Sequence, residues 1–339
     1  MAGSTAKLSS ERFSAVHESF LEDYPVLRRF TALTRFKTTV DLLSGSCGEG
    51  SRVVDLGAWP GILACCLARM AVEVVAVDKH PSRPIPVATS SREMLLKREG
   101  ICGTQDGLSL EVLGRRERVT VVGLDIEREP LPLETASMDA VLLTEVIEHL
   151  WHDPLFALAE TNRVLKTGSG VLILSTPNFL SLRNRLNFAF GNIHCVIEHP
   201  FVSFLKAKRL GHLGHCRLYA PSELRSLLHL LGFSPEIVFR RHDYLDHPEL
   251  PASKSASDHA GTGTPVRSLA LRRPILRKLL RSPRSYWAAA CATSLKVMER
   301  LVPRFRPQVF VARKTTSADF DRNYPSETRQ LVLENDLSL

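Results

Sequence analysis

The sequence predicts an α/β fold in which a mostly parallel, seven-stranded sheet carries helices on both faces. Three observations support this. From Gly45 onward, short apolar runs alternate with stretches of helical periodicity. A glycine-bearing turn, VVDLGAWPG (53–61), leaves one such run and opens a helix, the geometry that brings backbone amides against a nucleotide-like ligand. The next run ends on Asp78, twenty-three residues after Asp55, where an acid can accept hydrogen bonds from both hydroxyls of a ribose.

Each element follows from its own pattern. Residues 1–46 read as an N-terminal helical cap, because Phe13, Val16, Phe20, Leu27, Phe30 and Leu33 recur at helical steps, with a break near Pro25. RVVDLG (52–57) and VEVVAVD (72–78) are strands flanking a helix from about Gly61 to Met70. RVTVVGLD (118–125), DAVLLTE (139–145) and GVLILST (170–176) are further buried strands, with a helix over 154–166 between the last two. In SELRSLLHLLGF (222–233) Ser222 is placed to cap a helix, Leu224, Leu227, Leu228 and Leu231 form its apolar face, and Gly232 stops it. FSPEIVFRR (233–241) and PQVFVARK (307–314) complete the strands. The main domain is therefore 47–244, followed by a polar linker at 245–265, a basic helical insertion at 266–303, the closing strand within 304–316 and a tail at 317–339.

Composition narrows the class. With 44% hydrophobic and 24% charged residues the chain has the make-up of a soluble globular protein. The opening MAGSTAKLSSERF lacks the apolar core of a leader, and no uninterrupted apolar run reaches transmembrane length, so a cytoplasmic protein is expected. The seven cysteines are scattered without a C-x-x-C pair, which suggests neither a disulfide framework nor a zinc site. The net charge of +8 is uneven: residues 265–314 hold thirteen Lys/Arg against Glu299 alone. Within this region VRSLALRRPILRKLLRS (266–282) has the pattern of a cationic amphipathic helix. It could meet an anionic membrane surface, dock on the domain as a lid, bind RNA phosphates or simply present a solvated face.

One short segment concentrates reactive side chains. In TEVIEHLWHDP (144–154), Glu145, Glu148 and His149 fall at i, i+3 and i+4 and would share a face if the segment were helical. Such a face can present metal ligands or an acid/base pair, or it can be an ordinary solvated surface.

Taken in order, VVDLGAWPG, Asp78, LDIEREPLP (124–132), MDAVLLTEVIEHL (138–150), RVLKTGSGVLILSTPN (163–178) and HCRLYAPSELRSLLHLLGF (215–233) resemble the class I S-adenosylmethionine-dependent methyltransferases, of the type 11 and 23 kind. The resemblance runs over about 50–241, and VFVARK is similar to that fold's closing strand. It implies a Rossmann-like sheet and, with it, roles for individual residues. Asp55 and Gly57 would lie by the methionine part of the cofactor, and Gly61 would open the helix. Asp78 would hold the ribose hydroxyls, Asp125 would accept from the adenine amino group, and Ile126 would lie beside the ring. Where that family commonly reads G-x-G-x-G, this chain has Gly57, Trp59 and Gly61, so the indole is expected to turn away or to form a pocket wall.

At the fourth strand's exit the pattern Glu-x-x-Glu-His is similar to that of two groups, the ubiquinone-biosynthesis O-methyltransferases and the small-RNA 2′-O-methyltransferases. There the pattern holds a divalent ion. The resemblance therefore implies that Glu145, Glu148 and His149 bind a metal such as Mg²⁺, which can lower the pKa of a substrate hydroxyl. It also makes Glu145, His149 and His215 the catalytic candidates, with His215 as fourth ligand or general base ahead of His212, and His194 and His199 behind. In relatives that need no metal, Glu145 lines the pocket while Glu148 and His149 tie loops together.

Other residues are assigned more ordinary work. Trp151 and His152 cover the rim, His152 being an alternative base. Asn178 shapes the loop after the fifth strand, Tyr219 packs beneath the substrate lid, and Cys65 and Cys66 are packing residues. Arg183 and Arg185 either meet an anionic substrate or are solvated. The expected activity is methyl transfer from S-adenosylmethionine to a hydroxyl of a small-molecule, sugar or lipid-linked acceptor, with peripheral membrane contact through 266–303. The alternatives are an RNA 2′-O-methyltransferase and a cofactor-binding partner protein without turnover.

Overall fold

The apolar runs form β1 (Arg52–Leu56), β2 (Glu73–Asp78), β3 (Thr120–Gly123), β4 (Ala140–Thr144), β5 (Val171–Thr176), β6 (Phe233–Val238) and β7 (Gln308–Lys314). The structure is a computed structural model that describes residues 8–85, 108–189, 214–238 and 308–317. The strands make one sheet in the order β3-β2-β1-β4-β5-β7-β6. β1 pairs in parallel with β2 and β4, β2 with β3, and β4 with β5, whereas β7 runs antiparallel to both β5 and β6. The central strands are apolar on both faces because both faces are covered: every residue of β5 is buried.

The described helices are α1 (Ser10–Asp23), α2 (Leu33–Leu43), α3 (Ile62–Arg69), α4 (Leu110–Glu117), α5 (Pro154–Val164), α6 (Leu182–Ala189) and α7 (Pro221–Leu230). Two apolar clusters divide them between the faces of the sheet. One gathers Phe13, Phe20 and Val40 of the N-terminal helices with Leu67 of α3 and Leu113 of α4. The other gathers Leu158 of α5 and Leu224 and Leu228 of α7 with Leu172 and Leu174 of β5. The N-terminal helices thus cover the sheet as part of its core. Ser9 caps α1 by accepting from the Arg12 amide at 3.2 Å, and Pro25 begins a 3-10 turn (Pro25–Phe30) that separates α1 from α2.

Several boundaries differ from the sequence expectation. α7 starts on Pro221, whose fixed φ suits a first helical position, so Ser222 lies inside the first turn and does not cap it. Instead Glu223 Oε2 accepts from the Ala220 amide at 3.3 Å. β3 occupies only the middle of 118–125, and β4 stops at Thr144. The EVIEH segment is not an α-helix: Glu145 stands alone at the strand exit, and Ile147–His149 form a single 3-10 turn. The shared face anticipated for Glu145, Glu148 and His149 therefore does not exist. The linker 245–265, the insertion 266–303 with its membrane and RNA readings, and residues 318–339 of the tail lie outside the described residues. Among the described residues no helix is long and apolar enough to cross a membrane.

A charged cluster ties the N-terminal helices to the domain. Arg69 of α3 donates from Nε and Nη2 to the two carboxylate oxygens of Glu117, each at 2.7 Å, and from Nη2 to Asp23 at 2.7 Å. The Tyr24 hydroxyl adds a 2.8 Å bond to Glu117, and the Arg69 guanidinium lies 5.0 Å above the Phe20 ring. The bonds from Arg69, helped by the Tyr24 hydroxyl, outweigh burial and hold the Glu117 carboxyl below its ordinary value of 4.5. A depressed acid stabilises the fold above its unfolded pKa and loses that contribution as the pH falls through the folded one. Glu117→Gln should lower the unfolding free energy at pH 7 by about 2 kcal/mol, and the difference from the wild type should shrink as the pH falls through the folded-state pKa of Glu117, as read by urea unfolding over an acid pH series.

Candidate functional site

Because β1 has β2 on one side and β4 on the other, the loops that leave β1 and β4 diverge and open a crevice at the strands' C-terminal ends. A cavity of about 600 Å³ fills this crevice. Its walls come from each of the four neighbouring strand exits: Gly57 and Trp59 after β1, Asp78 and Arg83 after β2, Asp125 and Ile126 after β3, and Glu145 and His149 after β4.

The turn after β1 is held in a narrow conformation. Gly57 has φ +72°, and a Cβ there would come within 2.6 Å of Val146 Cγ2. Its neighbour is pinned by the next strand, since Asp78 accepts from the Trp59 amide at 3.2 Å through Oδ2 and from the His80 amide at 2.9 Å through Oδ1. The Trp59 side chain forms a wall of the cavity. Its ring stands edge-on to Phe30 at 5.3 Å, and the Arg83 guanidinium covers it at 4.3 Å. Gly61 does not line the cavity. It is the N-cap of α3 at φ +100°, where a Cβ would come within 2.8 Å of Leu110 Cδ1, so glycine there permits close helix packing.

Asp55 also lies behind the wall, at 4% exposure, and burial together with the charge of Asp78 pushes its carboxyl up to about 7. Asp125 has the opposite balance. Burial opposes its ionisation, but the Lys79 ammonium at 2.7 Å and the Glu127 amide at 3.2 Å prevail and hold it below the usual range. Ile126 lies beside it in the wall.

The acids at the exit of β4 part company. Glu145 has φ +57°, a left-handed conformation that costs a non-glycine residue about 1–3 kcal/mol and turns its side chain out of strand register. Oε1 accepts from the Ser175 hydroxyl at 2.9 Å, and Oε2 faces the Arg35 guanidinium of α2 at 3.9 Å. Glu148 is fully buried: Oε2 accepts from the Thr176 hydroxyl at 2.9 Å, while Oε1 has no hydrogen-bond partner among the described residues. Burial, reinforced by the charge of Glu145, raises the Glu148 carboxyl well above the carboxylate range. His149 Nδ1 lies 2.7 Å from the Gly214 carbonyl, which can only accept, so Nδ1 carries the proton and Nε2 is the ring's basic nitrogen. The rings of His149 and His215 meet at 4.9 Å.

Glu148, His149 and His215 accordingly bring one ligand atom each within 4.8 Å of one another, a spacing that suits a metal ion. Glu145 falls outside this triad, its carboxylate being engaged by Ser175 and Arg35 instead. Of the four expected ligands, three lie in this cluster. His212, His194 and His199 lie outside the described residues.

The remaining candidates find plainer places. Trp151 is 61% exposed at the cavity rim, and His152 Nε2 pairs with Arg128 at 2.8 Å. Asn178 shapes its loop by accepting from the Leu180 amide at 2.9 Å, and Cys65 and Cys66 are fully buried. Arg185 is exposed and bonds the Leu180 carbonyl at 3.0 Å, and the Arg183 side chain lies outside the described residues. Three contributors were missed. Lys79 and Arg83 had a signal, the basic run DKHPSR directly after the strand-terminal acid. Arg35, delivered from the N-terminal helices, had none.

Residues 27–236 match the family model described as a methyltransferase domain. The chain is 31% identical over 187 residues to the ubiquinone biosynthesis O-methyltransferase of a Cereibacter sphaeroides strain, covering 55% of this chain and 62% of that protein. It is 33% identical over 196 residues to the "Probable S-adenosylmethionine-dependent methyltransferase" of Mycobacterium tuberculosis, covering 58% of this chain and 49% of the other. The chain thus spans about half to somewhat under two thirds of the length of these relatives. Among solved structures, a SAM-dependent methyltransferase from Archaeoglobus fulgidus is similar at 17% identity and a TM-score of 0.40, over 82% of this chain and 90% of that one.

The raised carboxyl of Asp55 sets a pH dependence of sign opposite to that of Glu117. The native state keeps this proton to about pH 7, whereas an ordinary aspartate releases it near 3.8, so stability falls as the pH rises through that window. Asp55→Asn should flatten the decline, leaving the variant more stable relative to the wild type at pH 8 than at pH 5 by on the order of 1–3 kcal/mol in urea unfolding.

Proposed function

The chain belongs to the class I S-adenosylmethionine-dependent methyltransferases, and on that premise we propose that it transfers a methyl group to a hydroxyl oxygen of a small-molecule acceptor. The observation that carries this reading is the single cavity into which four strand exits deliver Gly57, Asp78, Asp125 with Ile126, and Glu145. The name of the Cereibacter relative supports oxygen as the acceptor atom.

S-adenosylmethionine, when bound, supplies an electrophilic methyl group on a sulfonium. In the proposed arrangement Asp78 receives the ribose hydroxyls, and its bond to the Trp59 amide links that contact to the turn after β1. Asp125, kept ionised by Lys79, faces the adenine amino group with Ile126 beside the ring. Gly57 lets the backbone approach the methionine part, while Asp55 and Gly61 act from behind by shaping the turn. Glu145 is the cavity carboxylate proposed to take the proton of the attacking hydroxyl. Ser175 and Arg35 fix its orientation, which is what positioned proton transfer requires.

A metal fits the remaining residues. Glu148 keeps one buried carboxylate oxygen without a hydrogen-bond partner, and His149 and His215 bring imidazoles to it. One carboxylate and two imidazoles suit an ion of the Mn²⁺ or Zn²⁺ kind better than Mg²⁺, which favours oxygen ligands. Such an ion would lower the pKa of an acceptor hydroxyl. The Gly214 carbonyl, by holding His149 Nδ1–H, would orient Nε2 towards it.

Titration calorimetry should show S-adenosylmethionine binding to the wild type and at least about tenfold weaker binding to Asp78→Ala, each good hydrogen bond to a charged group contributing about 1.5–3 kcal/mol. A silent wild type, or equal affinities, would sink the cofactor assignment. For the metal, Mn²⁺ and Zn²⁺ binding measured by equilibrium dialysis should weaken about 10–100-fold in Glu148→Ala, and an unchanged affinity would leave the triad a structural contact. Glu145→Gln should lower kcat by about 10²–10⁴ without a matching loss of cofactor affinity.

A further inference from the structure

The sheet keeps the exits of β3 and β4 apart by placing β2 and β1 between them, yet one side chain joins the two. Glu127, two residues past Asp125, is 9% exposed and lies in the wall of the cavity. Its Oε1 accepts from two consecutive amides, those of His152 and Asp153, the second at 2.9 Å. Arg128 grips the same place through its 2.8 Å contact with His152 Nε2. The rim segment that carries Trp151 is therefore held at its far end by residues that follow β3, and Asp153 passes the constraint on by capping α5 at 3.0 Å. The second oxygen of Glu127 is left over. Oε2 accepts no hydrogen bond among the described residues, and it is not sealed off as Glu148 Oε1 is, so it opens on the cavity.

Asp125 is placed differently. Its Oδ2 holds the Lys79 ammonium at 2.7 Å and its Oδ1 the Glu127 amide at 3.2 Å, so each oxygen already carries a donor. Of the two acids that follow β3 into the cavity wall, Glu127 is the one with an oxygen to spare. The exocyclic amine of adenine brings two N–H donors, and a carboxylate oxygen without a donor is the group that such an N–H requires. We propose that Glu127 is a further binding residue for the cofactor: Oε2 receives the adenine amine alongside Asp125 while Oε1 keeps hold of the rim, so that filling the adenine end steadies the segment after β4. The inference rests on the methyl-transfer reading and adds to it a residue that selects the purine and ties its binding to the far wall of the cavity.

The test uses the full chain and two ligands, S-adenosylhomocysteine and its 6-desamino analogue, in which purine replaces adenine. Calorimetry should find that the wild type prefers the amine by roughly tenfold or more, the scale of a hydrogen bond to a charged group. In Glu127→Gln the side-chain carbonyl has to stay on the two rim amides, which turns its NH₂ towards the ligand's amine. The preference should then fall by roughly tenfold, while the desamino analogue binds within about twofold of its wild-type affinity and so certifies the fold. Hydrogen–deuterium exchange at His152 and Asp153 reads the rim. S-adenosylhomocysteine should slow it by roughly fivefold or more in the wild type and the desamino analogue by under about twofold, a difference that Glu127→Ala should abolish. The proposal is overturned by a wild type indifferent to the amine, or by equal slowing of the rim with both ligands. It is equally overturned if Glu127→Gln lowers the preference by under about threefold, which would leave the amine to Asp125 alone. A wild type that binds neither S-adenosylmethionine nor S-adenosylhomocysteine would instead refute the methyl-transfer reading, so the two failures are distinct.

Discussion

β1 is hydrogen-bonded along both edges to parallel neighbours, β2 and β4, whose connecting chains leave it in opposite directions. That constraint opens the crevice, and each functional side chain inherits its position from it. The turn after β1 has to reverse the chain beneath Val146, which is why residue 57 has no room for a side chain. Asp78, one strand over, is brought close enough to accept from that turn, so two strand exits are stitched together by one carboxylate. The exit of β4 then closes the third side with an acid in a left-handed conformation.

The acids around the crevice show how one residue type is given different chemistry by its surroundings. Asp125 and Glu117 each have a cation at 2.7 Å, which holds their carboxyls below the usual range. Asp55 and Glu148 are buried with a second carboxylate nearby, and both carboxyls are pushed above the usual range. Asp55 sits behind the wall, and the acids paired with cations face the ligand space or the domain seam. Glu145 reaches the cavity with Ser175 and Arg35 fixing its direction, at the exit of β4.

How far the residues disclosed this arrangement depends on range. Strands were readable because a sheet covered on both faces needs unbroken apolar runs, as in GVLILST, and the strand-terminal acids were readable because their spacing repeats the βαβ unit. Ser222 misled because a proline one residue earlier is a better helix start than a serine is a cap. Glu145 misled because helical spacing was applied to a segment that holds only a single 3-10 turn. His215 could be chosen only through a resemblance, since nothing local in GHCRLY says that its ring meets His149 sixty-six residues away. Arg35 could not be chosen at all. Its approach to Glu145 depends on how two N-terminal helices pack across the sheet, and such a contact leaves no trace in spacing.

The ring of Trp59 occupies a place where backbone alone would suffice, and it stays there because Phe30 abuts its edge and Arg83 covers its face. Three segments far apart in the chain are thereby made answerable to one another. A change of Trp59 to glycine would strand an aromatic ring and a guanidinium, and loss of either neighbour would loosen the indole. The packing of positions 30, 59 and 83 is therefore coupled, and through Phe30 the N-terminal segment helps to shape the cavity wall.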